Sequence, residues 1–588
     1  MIRAILLVLV ALVSVPAWAQ MDFSGEWVTR VHEDYPERIP GPELGDYLGL
    51  PINAAARLKA DSWDASIQTL PEWQCRPHSA DYIWRGPSTF RISKEVDPVT
   101  RELVAFHAEW LRSVDRPIYM DGRPHPPEWA AHTWGGFSTG KFEGKMLTVT
   151  TTHLKEGYMR RNGVARSDRA TMIEHWMRHG EILTVMTIVS DPVYLTEPLV
   201  RTTDFAMDST QQIPPYPCEM VAEVKRERGV VPHHLPGTNT FLNDYAIKVH
   251  LPPLAMRGGA ATMYPEYRAK LNAPPQPDAN DAPKTAQRPV VVDDGQVHAL
   301  HVRGSIYMLV GAGGNITAEV APNGVVLLVD SGKAQMSDQV LAALRQITPR
   351  PVRKIINTQA HPEHTGGNMK LAESGSTIVN ATHVGDLDLD DASVGAAIIA
   401  HENVLKRMSG ELFRSLPTET YFVDDMKLSE MFNGEPVQVL HVPAAVTDGD
   451  SMVWFRRSDV ISTGDVFMTN SYPFIDLERG GSLQGIIDGL NKILDLAMPA
   501  FRLEGGTMIV PGHGRLCDIA DVAYYRDMTT ILRDRIQSMI RKGMTLEQVK
   551  AARPTLDYDG LYGATAGPWT TEKFVEAAFK SLSQKQYH

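Results

Sequence analysis

At 588 residues the chain exceeds what a single hydrophobic core supports, so about two to four domains are expected. Its 43% hydrophobic and 22% charged residues form an ordinary globular composition. A formal net charge of -12 argues against a general binder of nucleic acid or of anionic membranes, because either would need an electropositive face, and no run of basic residues supplies one.

Residues 1–19 read as a signal peptide: Arg3 gives a positive start, Ile5 to Val13 an apolar stretch, and Ala17-Trp18-Ala19 a small-x-small cleavage site. No later stretch approaches the ~20 apolar residues of a membrane span, so the expected mature protein is exported, periplasmic or secreted. An oxidising compartment would let Cys75 and Cys218 pair, leaving Cys517 as a free thiol four residues after His513. Three cysteines without a CxxC pair exclude a four-cysteine zinc module.

Residues 20–272 read as a β-rich domain. Arg91 to Val96 and Glu102 to Trp110 suggest an antiparallel pair across Asp97-Pro98, and Gly144 to His153 alternates in β-branched residues. Ile173 to Val189 reads as two strands joined at His179-Gly180. Eight of the tryptophans, Trp27 through Trp176, concentrate here and suit a barrel or sandwich core. His78 and His125 sit beside prolines and read as loop residues. Residues 273–290, rich in Pro, Ala, Asp, Asn and Gln, read as a linker.

Residues 291–588 alternate short strands with helices, the pattern of a layered α/β domain. Strands are expected at Ile306 to Val310, Val325 to Val329, Pro351 to Ile356, Thr377 to Asn380, Val437 to His441, Met452 to Phe455, Val460 to Gly464 and Thr507 to Val510. Helices are expected at Gln335 to Ile347, Met369 to Glu373, Val394 to Met408, Leu483 to Ala497, Ala520 to Arg541, Thr545 to Arg553 and Thr571 to Leu582. The strand at Pro351 to Ile356 runs into Gln359-Ala360-His361-Pro362-Glu363-His364-Thr365-Gly366-Gly367, where closely spaced imidazoles and a carboxylate propose a metal site.

Four segments in order now resemble the metallo-β-lactamase superfamily over roughly residues 295–520: Asp330-Ser331-Gly332, the Gln359 motif, Val446-Thr447-Asp448-Gly449-Asp450, and Asp465 followed by Pro511-Gly512-His513-Gly514. The resemblance implies an αββα sandwich with a metal site formed by loops at strand ends. The family pattern His-x-His-x-Asp-His is altered twice, with Gln359 for the first histidine and Glu363 for the aspartate. Val446 stands where a further histidine is usual. Valine cannot ligate and an amide oxygen is a poor substitute for imidazole, so the first metal position, which would use Gln359, His361 and Val446, looks disabled. The second position keeps Glu363, His364, Asp465 and His513.

The expectation is therefore one divalent ion, Zn(II) first with Mn(II) or Fe(II) as alternatives, serving hydrolysis of an ester, lactone, amide or phosphoester. Glu363 and His361 are the candidates for general base, with Asp465 the third member of the expected catalytic set. In the loop from Asn470 to Gly481, Tyr472, Phe474 and Arg479 are expected to contact substrate, a small molecule or short polymer. His441 reads as structural, Asp448 and Asp450 as braces of their loop, and His298 and His301 as facing solvent or the other domain. The competing expectation is a binding or structural protein that keeps the scaffold after losing its metals.

Overall fold

The computed structural model describes residues 21–31, 41–86, 89–111, 115–215, 217–271, 294–320, 325–376, 395–428, 434–499 and 506–584. The expected signal peptide, the linker and the strand at 377–380 lie outside the described residues.

Strict alternation makes the N-terminal half a barrel. In Ile182–Ser190 every second side chain is buried, and it pairs with Thr171–His179 so that Val185 faces Trp176 across the ladder. Gly180, at φ 61°, closes the turn between them. Thr89–Val96 pairs with Leu103–Trp110 as expected, and Asp97 holds that turn by accepting from the backbone N–H groups of Val99 and Thr100. With Gly25–Arg30, Arg116–Tyr119, Phe137–Glu143, Met146–Thr152 and Leu199–Met207, these strands close into one barrel. Its interior is filled by Trp27, Trp84, Phe90, Phe106, Trp176 and Phe205. One ion pair is sealed among these rings: the Arg116 guanidinium sits 2.5 Å from Glu174, whose carboxylate also accepts from the Trp84 indole. The tryptophans do not all serve the barrel, because Trp63 and Trp73 pack into a different cluster.

In the C-terminal half two sheets face each other. The first runs His298–Arg303, Ile306–Val310, Ile316–Val320, Val326–Val329, Val352–Ile356, Ala397–His401 and Glu419–Tyr421. The second runs Asp425–Lys427, Val437–Val442, Asp450–Phe455, Val460–Ser462, Met508–Val510 and Cys517–Asp518. Met308, Leu327, Val329 and Ile356 of the first sheet meet Val439, Val453, Val460 and Val510 of the second. Helices Ser337–Ile347 and Asn368–Glu373 cover the outer face of the first sheet, and Leu483–Leu496 and Ile519–Arg541 that of the second. This is the expected αββα sandwich. The expected helix from Val394 to Met408 is corrected: its apolar start is the buried strand Ala397–His401, and helix begins only at Glu402. A continuous apolar run reads alike as buried strand or buried helix.

The halves share a core. Tyr47, Trp63, Trp73, Met159 and Tyr194 join the cluster built on the Ile519–Arg541 helix. Polar contacts accompany them: Trp73 Nε1 donates to Asp527 Oδ2 at 2.7 Å, Lys155 Nζ lies 2.7 Å from Asp521 Oδ2, and Arg515 Nη2 lies 3.0 Å from Asp168 Oδ2. Cys75 and Cys218 form a disulfide, and Cys517 is a buried free thiol. No described helix is long and apolar enough to cross a membrane.

Candidate metal centre

Four strand ends deliver the site. Val326–Val329 runs parallel to Val352–Ile356, and Val460–Ser462 parallel to Met508–Val510, so the chain leaves all four on the same edge of the sandwich. Asp330 follows the first, the Gln359 motif the second, Asp465 the third and His513 the fourth. Asn315 holds the last of these loops by donating from Nδ2 to the carbonyls of Pro511 and Gly514.

One ligand atom from each of Glu363, His364, Asp465 and His513 falls within 4.8 Å of all the others. Two edges of that cluster are short: His364 Nε2 to Asp465 Oδ2 is 3.1 Å and His513 Nε2 to Asp465 Oδ1 is 3.4 Å. Nitrogen and oxygen atoms about 2.0–2.2 Å from one tetrahedral ion stand about 3.4 Å apart, so these edges suit a shared cation. Asp465 Oδ1 supplies an independent sign, being a buried carboxylate oxygen without a hydrogen bond. A Cβ on residue 512 would sit 2.1 Å from that oxygen, which explains the glycine there.

The imidazole of His364 is aimed by Asp330. Its Nδ1 lies 2.8 Å from Asp330 Oδ2, and Asp330 in turn accepts from Thr358 N and Thr358 Oγ1, each at 2.7 Å. A carboxylate behind a ligating histidine fixes the ring and raises its basicity. Burial alone would lower the His364 pKa, yet Asp465 and Asp330 on either side hold it well above the usual range. Burial would raise Asp465, and the two imidazoles pull it below the usual carboxylate range instead. The pocket is therefore electrostatically built for positive charge at the point where His364, His513 and Asp465 meet.

Beside this cluster the residues expected at the first metal position form a hydrogen-bonded chain. Gln359 Nε2 donates to Asp465 Oδ2 at 2.7 Å, and its Oε1 lies 2.9 Å from His361 Nδ1. His361 Nε2 lies 3.1 Å from Asp476 Oδ2, and Asp476 also pairs with Arg479 Nη1 at 3.1 Å. Asp465 can only accept, so the amide must point its nitrogen there and its oxygen at His361. Both ring nitrogens of His361 then face acceptor oxygens. Val446 is fully buried behind this chain, its carbonyl accepting from Asp476 N at 3.0 Å.

The remaining expected residues fall as follows. Tyr472 is corrected: it is buried, donates to Thr555 O and Asp559 Oδ1, and stacks on Phe574 at 4.6 Å, so it belongs to the core beneath the C-terminal helices. Phe474 packs edge-on against His361 at 5.3 Å and against Trp569 at 4.7 Å. Asp448 is held by Arg407 and Asp450 accepts from Thr447, so both brace their loop. His441 stacks on His401 with ring centroids 3.8 Å apart, and His298 stacks on Trp129. Cys517 faces Arg515 and lies outside the cluster. Asp476 was not singled out from sequence; a carboxylate in a Gly-rich loop carries no motif of its own.

Residues 313–513 match the model of the metallo-beta-lactamase superfamily. A linear primary-alkylsulfatase of Pseudomonas sp. (strain ATCC 19151) is 23% identical over 268 residues, which are 39% of this chain and 48% of that protein. The chain thus spans about half the length of the curated relative it matches. Among solved structures, a stereoselective inverting sec-alkylsulfatase from Pseudomonas sp. is 14% identical with a TM-score of 0.37, covering 48% of this chain and 50% of that one. A metallo-beta-lactamase from Pontibacter korlensis is 12% identical with a TM-score of 0.30, covering 40% of this chain and 99% of that one. The C-terminal half is a metallo-beta-lactamase-like domain, preceded by a mainly β domain.

Proposed function

We propose that this chain is an exported hydrolase that works with a single divalent cation, zinc first, held by Glu363, His364, Asp465 and His513. The observation that carries the reading is the buried Asp465 Oδ1, which has no hydrogen bond and faces His513 Nε2 at 3.4 Å inside a four-ligand cluster. When bound, such an ion supplies a water acidic enough to ionise near neutral pH. The chain's own residues then do the positioning. Asp330 holds the His364 ring, and Gln359 holds Asp465 by the oxygen it does not turn toward His513.

Both ring nitrogens of His361 face acceptor oxygens of its own chain, those of Gln359 and Asp476, so neither is turned toward the four-ligand cluster. Glu363, with the carboxylate oxygen it does not give to the cation, is then the better general base of the two candidates, and His361 with Phe474 and Arg479 forms a wall of the site. The bond cleaved is an ester-like one: carboxylic ester, lactone, amide or phosphoester, with sulfate ester added because the curated relative is named an alkylsulfatase. The Cys75–Cys218 disulfide supports export, since such bridges persist in oxidising compartments.

The test joins metal analysis to a substrate panel. Purified protein should carry roughly one equivalent of metal, lost in His364→Ala and in His513→Ala, and should hydrolyse at least one ester class in a metal-dependent way. A folded protein that binds no metal under any loading condition would leave the scaffold reading instead.

A further inference from the structure

A cavity of about 550 Å³ lies between the barrel and the sandwich. It borders Gly514 and Arg515, next to His513, yet none of the four candidate ligands lines it. Its walls are mainly apolar, with Trp129, Val310, Phe467, Met468 and Leu561 among them. Cavities of roughly 300–1,000 Å³ with apolar walls and few polar groups are typical of small-molecule sites.

The polar groups on this wall decide what it can hold. Arg515 is paired with Asp168 and Asp521, Arg169 donates to the carbonyls of Gly560 and Leu561, and Glu156 is paired with Lys59. Glu128 stands exposed at the rim. On the inner wall, then, Arg515, Asp168, Asp521 and Glu156 are ion-paired, and both Nη atoms of Arg169 are engaged by backbone carbonyls. Of the three histidines there, His125 and His153 have both ring nitrogens engaged, by Thr152 and Thr139 and by Thr152 and Pro127 O respectively. His132 differs. Its Nδ1 lies 3.0 Å from the carbonyl of Leu154, which can only accept, so Nδ1 carries the proton. Burial, then the nearby Arg515 charge, keep this ring well below its usual pKa and hence neutral, which leaves a lone pair on Nε2.

We propose that this interdomain cavity binds an uncharged, mainly apolar small molecule carrying one hydroxyl or N–H group, which donates to His132 Nε2. The site is distinct from the metal centre and does not depend on the hydrolase reading. A neutral acceptor in an apolar wall favours a donor strongly, because a ligand without one strands that acceptor away from water.

Three probes of one shape test it on the full chain by fluorescence titration, with and without a chelator so that the metal centre cannot contribute. The probes are 2-naphthol, naphthalene and 2-naphthoate. We expect 2-naphthol to bind about tenfold more tightly than naphthalene, and 2-naphthoate to bind more weakly than either. His132→Phe should erase the preference for the naphthol while retaining naphthalene; His132→Gln, which offers an amide oxygen, should keep it. Thr171→Trp, at the exposed rim, should weaken all three. Equal binding of 2-naphthol and naphthalene, or a preference that survives His132→Phe, would overturn the hydroxyl assignment. Tightest binding of 2-naphthoate would overturn neutrality, and no binding of any probe would overturn the site.

Discussion

Gln359 Nε2 lies 2.7 Å from Asp465 Oδ2, the same carboxylate oxygen that His364 Nε2 approaches at 3.1 Å. The amide thus satisfies one side of the carboxylate with a hydrogen bond and fixes its rotation. From Gln359 the chain of donors and acceptors continues through His361 to Asp476 and Arg479, and Val446 seals it from behind.

This arrangement predicts what a second metal position would require. Val446→His alone should leave metal content near one equivalent, because Gln359 still holds His361 and Asp465. Gln359→His with Val446→His should raise it toward about two, the number a full histidine set supports. Elemental analysis of protein dialysed against a limiting zinc buffer reads the difference. A rise with Val446→His alone would mean that Gln359 is no obstacle.

Asp330 gives a second prediction, since it touches His364 and not the ion. Asn is tolerated at its left-handed backbone, φ 67°, so Asp330→Asn should fold. Its amide cannot accept from Thr358 N, Thr358 Oγ1 and His364 Nδ1 together, so the ring loses its orienting carboxylate. Zinc affinity should fall about 10- to 100-fold, measured by competition with a chromophoric chelator. Unchanged affinity would show that packing alone aims the ring.

How much of this was legible beforehand follows from the range of each signal. The members of the four-residue cluster are local signals: Glu363, His364, Asp465 and His513 could be singled out from residue type and the order of segments, and the strands that carry them from apolar runs. What lay out of reach was long-range. Nothing in the loop from Asn470 to Gly481 says that Tyr472 turns into the core while Asp476 turns to His361, because a loop has no periodicity to assign its faces. The shared core was hidden for the same reason: Trp63 and Trp73 look like any other tryptophans of a β-rich half until the Ile519–Arg541 helix packs on them.

That shared core predicts a cooperative molecule. Arg535 and Asp557 form a sealed ion pair at 2.6 Å, and Arg535 Nη2 also donates to Ser62 Oγ of the first half. Asp557→Ala would strand a buried guanidinium, at a cost of about 3–5 kcal/mol. Barrel and sandwich should then lose stability together, giving one unfolding transition in guanidinium by both tryptophan fluorescence and circular dichroism. Two separated transitions, with only one shifted, would show that the halves unfold independently.

The stacked pair His401 and His441 predicts an acid limb of stability. Burial and the neighbouring His441 ring push His401 down to about 4, from an ordinary value near 6.5. The unfolded chain thus takes up a proton below about 6.5 that the folded chain refuses until about 4, so stability contributed by this neutral ring is lost as pH falls through that window. His441→Phe keeps a ring in the stack at 3.8 Å but removes the second charge. The difference in urea midpoint between pH 7 and pH 5 should be smaller in the variant than in the wild type. An equal difference would place the acid sensitivity elsewhere.

Tyr472 separates fold from site most directly. Its hydroxyl donates to Thr555 O at 3.1 Å and Asp559 Oδ1 at 2.9 Å, and its ring lies parallel to Phe574. Tyr472→Phe keeps the stack and removes the one hydroxyl proton shared between the buried Thr555 O and the half-buried Asp559 Oδ1, which should cost about 1–3 kcal/mol of stability. Two residues on, Phe474 faces His361 instead, so Phe474→Ala should raise KM for a hydrolysed substrate several-fold while Tyr472→Phe leaves both kcat and KM unchanged at a temperature where it stays folded. If Tyr472→Phe changed KM with stability intact, its hydroxyl would be acting on substrate and the assignment to the core would fail.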